Sequence, residues 1–177
     1  MPSGRTHDAI TLILAAPTFV AAWGLTGSLA LAAVATCAML FGGFMFGPDL
    51  DIQSRQYARW GVFRFLWLPY RGLFRHRSRW SHGIIFGTLI RVVYFAAALA
   101  ILAWAGVYLR ATYVSGGALP GWTELAHAWR LIQAGAGHYG VGREVLLAVL
   151  AGLWWGAASH TLTDVAVSVV RKGSEIF

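Results

Sequence analysis

VLLAVLAGLWWGAASHTLTDVAVSVV, from Val145 to Val170, decides the fold. It is long enough to cross the roughly 30 Å hydrocarbon core of a bilayer as a helix, yet it carries His160 and Asp164 inside it. Gly152, Gly156, His160, Asp164 and Ser168 recur every four residues, so they share one helix face. The glycines allow another helix to approach closely, and the imidazole and carboxylate then face the interior of a bundle. An aspartate at membrane depth costs about 2.5–3.5 kcal/mol on insertion scales, a cost that a cation or a charged partner offsets.

Three further apolar runs precede it, at about 10–25 (interrupted by Pro17), 29–47, and 83–109, where Arg91 is the one charge. Each is near or above the roughly 17 residues a spanning helix needs. The pattern predicts an all-α, four-span transmembrane helical bundle, with 1–177 as a single membrane domain. Composition agrees. The chain is 58% hydrophobic and 12% charged with a mean hydropathy of +0.60, half the charge of a typical soluble domain, about 25%. An ordinary soluble enzyme, a disordered chain and a secreted disulfide scaffold are excluded. The single cysteine, Cys37, sits in an apolar run, so there is no paired-cysteine metal motif. Met1–Asp8 holds one basic residue and no small-residue cleavage site follows, unlike a signal peptide.

Basic residues set the orientation. Arg5, Arg55, Arg59, Arg64, Arg71, Arg75, Arg77, Arg79, Arg171 and Lys172 fall on one side of a four-span layout, against Arg110, Arg130 and Arg143 on the other. This bias places both termini in the cytoplasm and predicts a multi-pass protein of the cytoplasmic or a thylakoid membrane. Between spans two and three, residues 55–80 interleave seven arginines with eight aromatic residues. Such a segment suits the headgroup layer, with rings at the acyl boundary and guanidinium groups on lipid phosphates, so membrane lipids are the expected partners. Nucleic acid is not expected, because Phe63, Phe65, Leu66, Trp67 and Leu68 are too apolar for a solvated groove. Pro69 is predicted to break the segment in two.

This topology gathers the chemically capable residues at one end. His7 and Asp8 precede span one, Asp49 and Asp51 follow span two, His76 and His82 precede span three, and His160 and Asp164 lie in the matching half of span four. Histidine nitrogen with aspartate oxygen is a ligand set for Zn, Mn or Fe. A divalent metal, one or two ions, explains how carboxylates crowd at a low-dielectric boundary, and two ions can clamp a phosphoester. Gly43 with Gly47 and Gly83 with Gly87 have the four-residue spacing of close helix packing. Taken singly, each residue has a plainer role: His7 as an exposed terminus, Asp49 in a turn, His76 at a headgroup, His82 as an anchor, His160 and Asp164 as an interhelical pair with Arg91. His127 and His138 read as loop residues on the opposite side.

MPSGRTHDAITL (1–12), LFGGFMFGPDLDIQSRQYARWGVFRFLWLPYR (40–71), RHRSRWSHG (75–83) and SHTLTD (159–164) resemble a family of small membrane proteins, mostly cyanobacterial, described as uncharacterised and metal-binding. The order of an N-terminal His, PDxD, HRxxxSH and HxxxD also looks like the LexA-regulated membrane-bound metal-dependent hydrolases, and distantly like the helical, multinuclear group of zinc-dependent phospholipases C and nucleases. The resemblance implies His7, Asp49, Asp51, His76, His82, His160 and Asp164 as metal ligands. The favoured reading is a metal-dependent hydrolase of a phosphoester, a lipid headgroup among the candidates, at the cytoplasmic face. Metal-bound hydroxide is the expected nucleophile, with Arg77, Arg79 or Arg91 balancing phosphate charge. The alternatives are a non-catalytic metal-binding structural or assembly protein and, against the carboxylates, a haem protein with His82 and His160 as axial ligands.

Overall fold

The computed structural model describes residues 3–74, 78–114, 116, 121–138 and 142–174, and among them there are helices and no strands. Helix α1, Gly4–Thr26, starts where the Ser3 hydroxyl accepts the Thr6 amide, and it ends at Gly27, whose φ of 65° is the left-handed conformation of a helix stop. Ser28 then caps α2, Leu29–Phe44. The two helices follow within a two-residue turn and pack along each other. Three short helices follow, α3 (Arg55–Arg59), α4 (Leu68–Leu73) and α5 (Arg79–His82), with 3-10 turns at Pro48–Asp51 and Gly61–Trp67. Long helices α6 (Phe86–Val114) and α8 (Arg143–Ser174) flank α7 (Trp122–His138).

Three helices are long and apolar enough to cross a membrane: Gly4–Thr26, Phe86–Arg110 and Arg143–Val170. The second expected span is shorter than the 29–47 read from hydropathy. Leu29–Phe44 has 16 residues, about 24 Å at 1.5 Å per residue, because the chain leaves the helix at Met45 and enters Gly47-Pro48 in extended conformation. Residues 110–144, read as a loop, contain α7, so His127 and His138 lie on a helix; His127 is exposed. Pro69 marks the expected division of the interfacial segment, between the 3-10 turn Gly61–Trp67 and α4. It stands at the start of α4, where its missing amide costs nothing.

The chain divides into two compact units, one of residues 1–92 with 144–177 and one of residues 93–143. In the first unit, glycines let α2 and α8 meet backbone to backbone. A Cβ on Gly152 would strike the Ala35 carbonyl, one on Gly156 the Met39 carbonyl and, at 2.6 Å, the Gly43 nitrogen, and one on Gly42 the Leu153 carbonyl at 2.6 Å. Gly43 in turn admits Thr11 of α1 at 2.5 Å. The small-residue face of α8 thus packs as its spacing implies. Gly87 is different: a Cβ there would meet the Ser81 carbonyl at 2.7 Å, so it makes room for the turn before α6 rather than for another helix. Nor is Gly83 helical.

Candidate metal centre

Four segments deliver the functional side chains: α1, the Pro48–Asp51 turn, α5 and α8. The Ser3 cap places His7 in the second turn of α1 and turns it inward with Thr11, whose hydroxyl donates to the His7 carbonyl at 2.9 Å. The glycine seam brings α8 close enough for His160 to stack on His7, with ring centroids 3.7 Å apart and planes 5° from parallel. Asp164, one turn further along α8, sets Oδ1 3.3 Å from His7 Nε2 and Oδ2 3.8 Å from His160 Nε2. Donor atoms of His7, His160 and Asp164 all lie within 4.8 Å of one another. Ligands around one ion with bonds of about 2.0–2.2 Å stand at most about 4.2 Å apart, so a cation needs only a small contraction.

Asp49 joins this group to a second one. Gly47-Pro48 ends α2 and starts the 3-10 turn that presents the carboxylate. Its Oδ2 lies 3.4 Å from His160 Nε2 and its Oδ1 3.5 Å from His82 Nε2. Asp51 stands on the other side of His82, with Oδ2 3.6 Å from Nδ1. That placement sets Asp51 behind the ring rather than beside Asp49, and the Ser81 hydroxyl, 3.1 Å from His82 Nδ1, is the nearer group on that nitrogen. None of these six side chains is more than 22% exposed. Burial alone pushes the Asp49 carboxyl up, but the His160 and His82 imidazoles outweigh it and hold the group well below the usual carboxylate range.

Gln56 is a partner that sequence reasoning missed. Its Oε1 accepts the Asp49 amide at 3.2 Å, and its Nε2 donates to the Gly43 carbonyl at 2.7 Å and lies 3.3 Å from His160 Nδ1. Ser54 Oγ donates to the Asp49 carbonyl at 2.7 Å. The turn that offers Asp49 is thus pinned on both sides. Gln56 thus occupies the Nδ1 edge of His160 and leaves Nε2 directed between Asp49 and Asp164, and a neutral ring that binds a cation through Nε2 keeps its proton on Nδ1. Glutamine has no periodic or motif signature, so only the folded chain reveals its part.

Arg91, expected as a phosphate partner, is committed elsewhere. It is 1% exposed and donates from Nη1 to the Ser81 carbonyl at 2.6 Å and from Nη2 to Thr88 Oγ1 at 3.1 Å. It therefore braces the turn that carries His82. Asp8, although next to His7, turns away: Arg59 grips both its oxygens at 2.6 and 2.9 Å and Arg55 adds a contact at 3.2 Å. His76 and Arg77 lie outside the described residues, as does the side chain of Arg79.

The donor set suits a divalent cation. His160 Nε2, Asp49 Oδ1 and Asp164 Oδ1 are buried without a hydrogen bond, whereas nearly all buried polar atoms have one. A cation among His7, His160 and Asp164, whose donor atoms converge, would satisfy the imidazole nitrogen and balance the carboxylate charge. Comparison with known proteins is consistent with this chemistry. The family described as "Uncharacterized metal-binding protein (DUF2227)" matches residues 2–173. A protein of Aquifex aeolicus (strain VF5), itself described as uncharacterized, is 39% identical over 56 residues, which are 31% of this chain and 39% of that relative. The match thus spans well under half of either protein. No solved structure matches.

Proposed function

The chain belongs to this family of uncharacterised metal-binding proteins, and from that premise we propose that it is a multi-pass membrane protein whose His/Asp centre hydrolyses a phosphoester with one or two divalent cations, Zn, Mn or Fe. The observation that carries the reading is the convergence of His7, Asp49, His82, His160 and Asp164 from four segments into one buried cluster. Asp49 supports two cations, since its two oxygens face two different imidazoles, the arrangement of a shared carboxylate. The basic bias supports cytoplasmic termini, with Leu29–Phe44 as the fourth, short span.

A bound divalent cation supplies charge that polarises a phosphoryl oxygen and lowers the pKa of water. The chain's residues do the rest. Asp49 and Asp164 bring negative charge, His7, His82 and His160 bring neutral lone pairs, the Ser81 hydroxyl meets the far nitrogen of His82 with Asp51 beyond it, and Gln56 with Ser54 holds the Asp49 turn. Arg77 and Arg79 are the proposed partners of phosphate charge, Arg91 being spent on Ser81. The order of PDxD, HRxxxSH and HxxxD, which is similar to that of membrane-bound metal-dependent hydrolases, supports the reaction class.

The low exposure of the donors favours a second reading, a closed centre that staples helices without catalysis. Purified protein should contain metal, and Asp164→Asn should lose at least one ion because the amide removes the charge that holds it. In the hydrolase, phosphodiesterase activity disappears while the melting temperature in detergent falls by only a few degrees. Wild-type protein loaded in turn with Zn, Mn and Fe, inactive on every phosphoester offered, with a variant that melts far lower, would establish the staple.

A further inference from the structure

Behind the Asp49 turn, on the other side of α3, lies a cavity of about 600 Å3 lined by Ser54, Tyr57, Arg64, Phe65, Leu68 and Arg71, among others. Gln56 of α3 bonds toward the metal centre and its neighbour Tyr57 lines this cavity, so one short helix is the wall of both. We propose that the cavity binds the phosphate of an anionic lipid headgroup, an assignment that rests on the membrane reading but not on metal or hydrolysis.

Charge is the first argument. Residues 52–74 contain four arginines and no acidic residue. Arg55 and Arg59 are spent on Asp8. Arg64 and Arg71 form no ion pair with a described carboxylate, and the Arg71 guanidinium is stacked 4.6 Å over the Tyr57 ring while its Nε is buried without a hydrogen bond. A stacked, unneutralised guanidinium is preorganised for bidentate contact with phosphate. Ser54 and Tyr57 add polar groups to the same wall.

The second argument is what surrounds the cavity. Val62, Phe63, Phe65, Leu68 and Leu73 are 50–80% exposed within twelve residues. Water does not favour so dense an apolar display. A lipid interface does: these side chains enter the acyl boundary while arginines a few residues away meet the phosphates. A free phosphate ion would use the arginines and leave the apolar rim without purpose. The rim is what selects a lipid.

The test uses the full chain in neutral detergent. Native mass spectrometry with phosphatidylglycerol, phosphatidylcholine, inorganic phosphate or a short single-stranded RNA as probe should show phosphatidylglycerol retained in preference to all others. Retention should fall about tenfold or more in the Arg64→Gln/Arg71→Gln double variant, with Arg71→Lys intermediate because the stack is lost but the charge kept. An Arg110→Gln/Arg130→Gln variant, with the same loss of charge, should bind as wild type. Size-exclusion and helical circular dichroism establish that each variant is folded. Equal retention of both lipids, an unaffected double variant, stabilisation by inorganic phosphate alone to the same extent, or displacement of lipid by RNA would each overturn the proposal. Metal content measured on the same samples reports separately on the centre.

Discussion

Placing a methyl group at Gly156 probes the link between helix packing and the metal centre. The added Cβ would stand 2.6 Å from the Gly43 nitrogen and 3.0 Å from the Gly42 carbonyl carbon. Both are backbone atoms, and no rotamer relieves the contact. Restoring an ordinary separation of 3.4 Å to Gly43 requires α2 and α8 to part by about 0.8 Å, and the Met39 carbonyl, closer still, makes that a minimum. His160 lies four residues on, about 6 Å along the axis, so most of that displacement reaches it. Its contact with Asp49, which follows α2, would open from 3.4 Å to about 4 Å. Overpacking of this kind costs about 1–3 kcal/mol, against which helix propensity returns up to about 1 kcal/mol. Gly156→Ala should therefore be less stable by roughly 1–2 kcal/mol and should bind metal more weakly. Gly106 of α6, where a Cβ meets nothing within 4 Å, is the control: Gly106→Ala should gain stability, by roughly 0.5–1 kcal/mol. Melting temperature and metal stoichiometry, measured for both variants in one detergent, decide the matter. Two glycines responding with the same sign, or a Gly156→Ala protein with full metal content, would refute the reasoning.

Arg91→Gln should lower the melting temperature markedly, because a charged hydrogen bond is worth about 1.5–3 kcal/mol and Arg91 makes two; it should also release His82, seen as a changed His82 resonance on metal titration, and an unchanged resonance would count against the brace. Asp49, with its carboxyl held below the ordinary value, contributes stability that is fully present above about pH 4 and lost only as pH falls through the lower folded value. The cost of Asp49→Asn should accordingly be at least as large at pH 5 as at pH 8, as read from denaturation curves, and a cost that vanishes at pH 5 would contradict the depressed titration. With Cys37 replaced, Gln53→Cys should be protected from an impermeant thiol reagent in intact cells and Gly117→Cys should be labelled; the reverse pattern would invert the topology read from the arginines.

The apolar runs made α1, α6 and α8 legible, since a membrane span is a property of composition over twenty residues and needs no partner to declare itself. The glycine face of α8 was legible for a related reason: its four-residue period is a statement about one helix. Topology also carried His7, Asp49, Asp51, His82, His160 and Asp164 to one end before any coordinates, and the structure brings these six together. What the sequence hid depends on contacts between segments. Arg91 read as a partner for phosphate or for His160 and Asp164, and only the fold shows the Ser81 carbonyl that takes it. Asp51 looked equivalent to Asp49, but the two stand on opposite sides of one imidazole. Gly87 matched a packing spacing while serving a carbonyl. The end of α2 at Phe44 was obscured because Met45 and Phe46 are as apolar as the helix before them.

His7 and Asp164 are 157 positions apart in the chain, and that separation orders events in time. During synthesis the N-terminal imidazole must wait, without its partner, until nearly every other residue has been made. The entropic cost of closing a loop rises only slowly with its length, but contacts so distant in sequence form slowly. The centre is therefore the last part of the protein to come into being. Until α8 seats itself against the glycines of α2, Asp164 faces its surroundings alone, and the nascent molecule is at its most vulnerable to proteolytic removal. A chain truncated before Gly152 keeps His7, Asp49 and His82 but lacks His160 and Asp164, so the cluster is complete only once α8 is present.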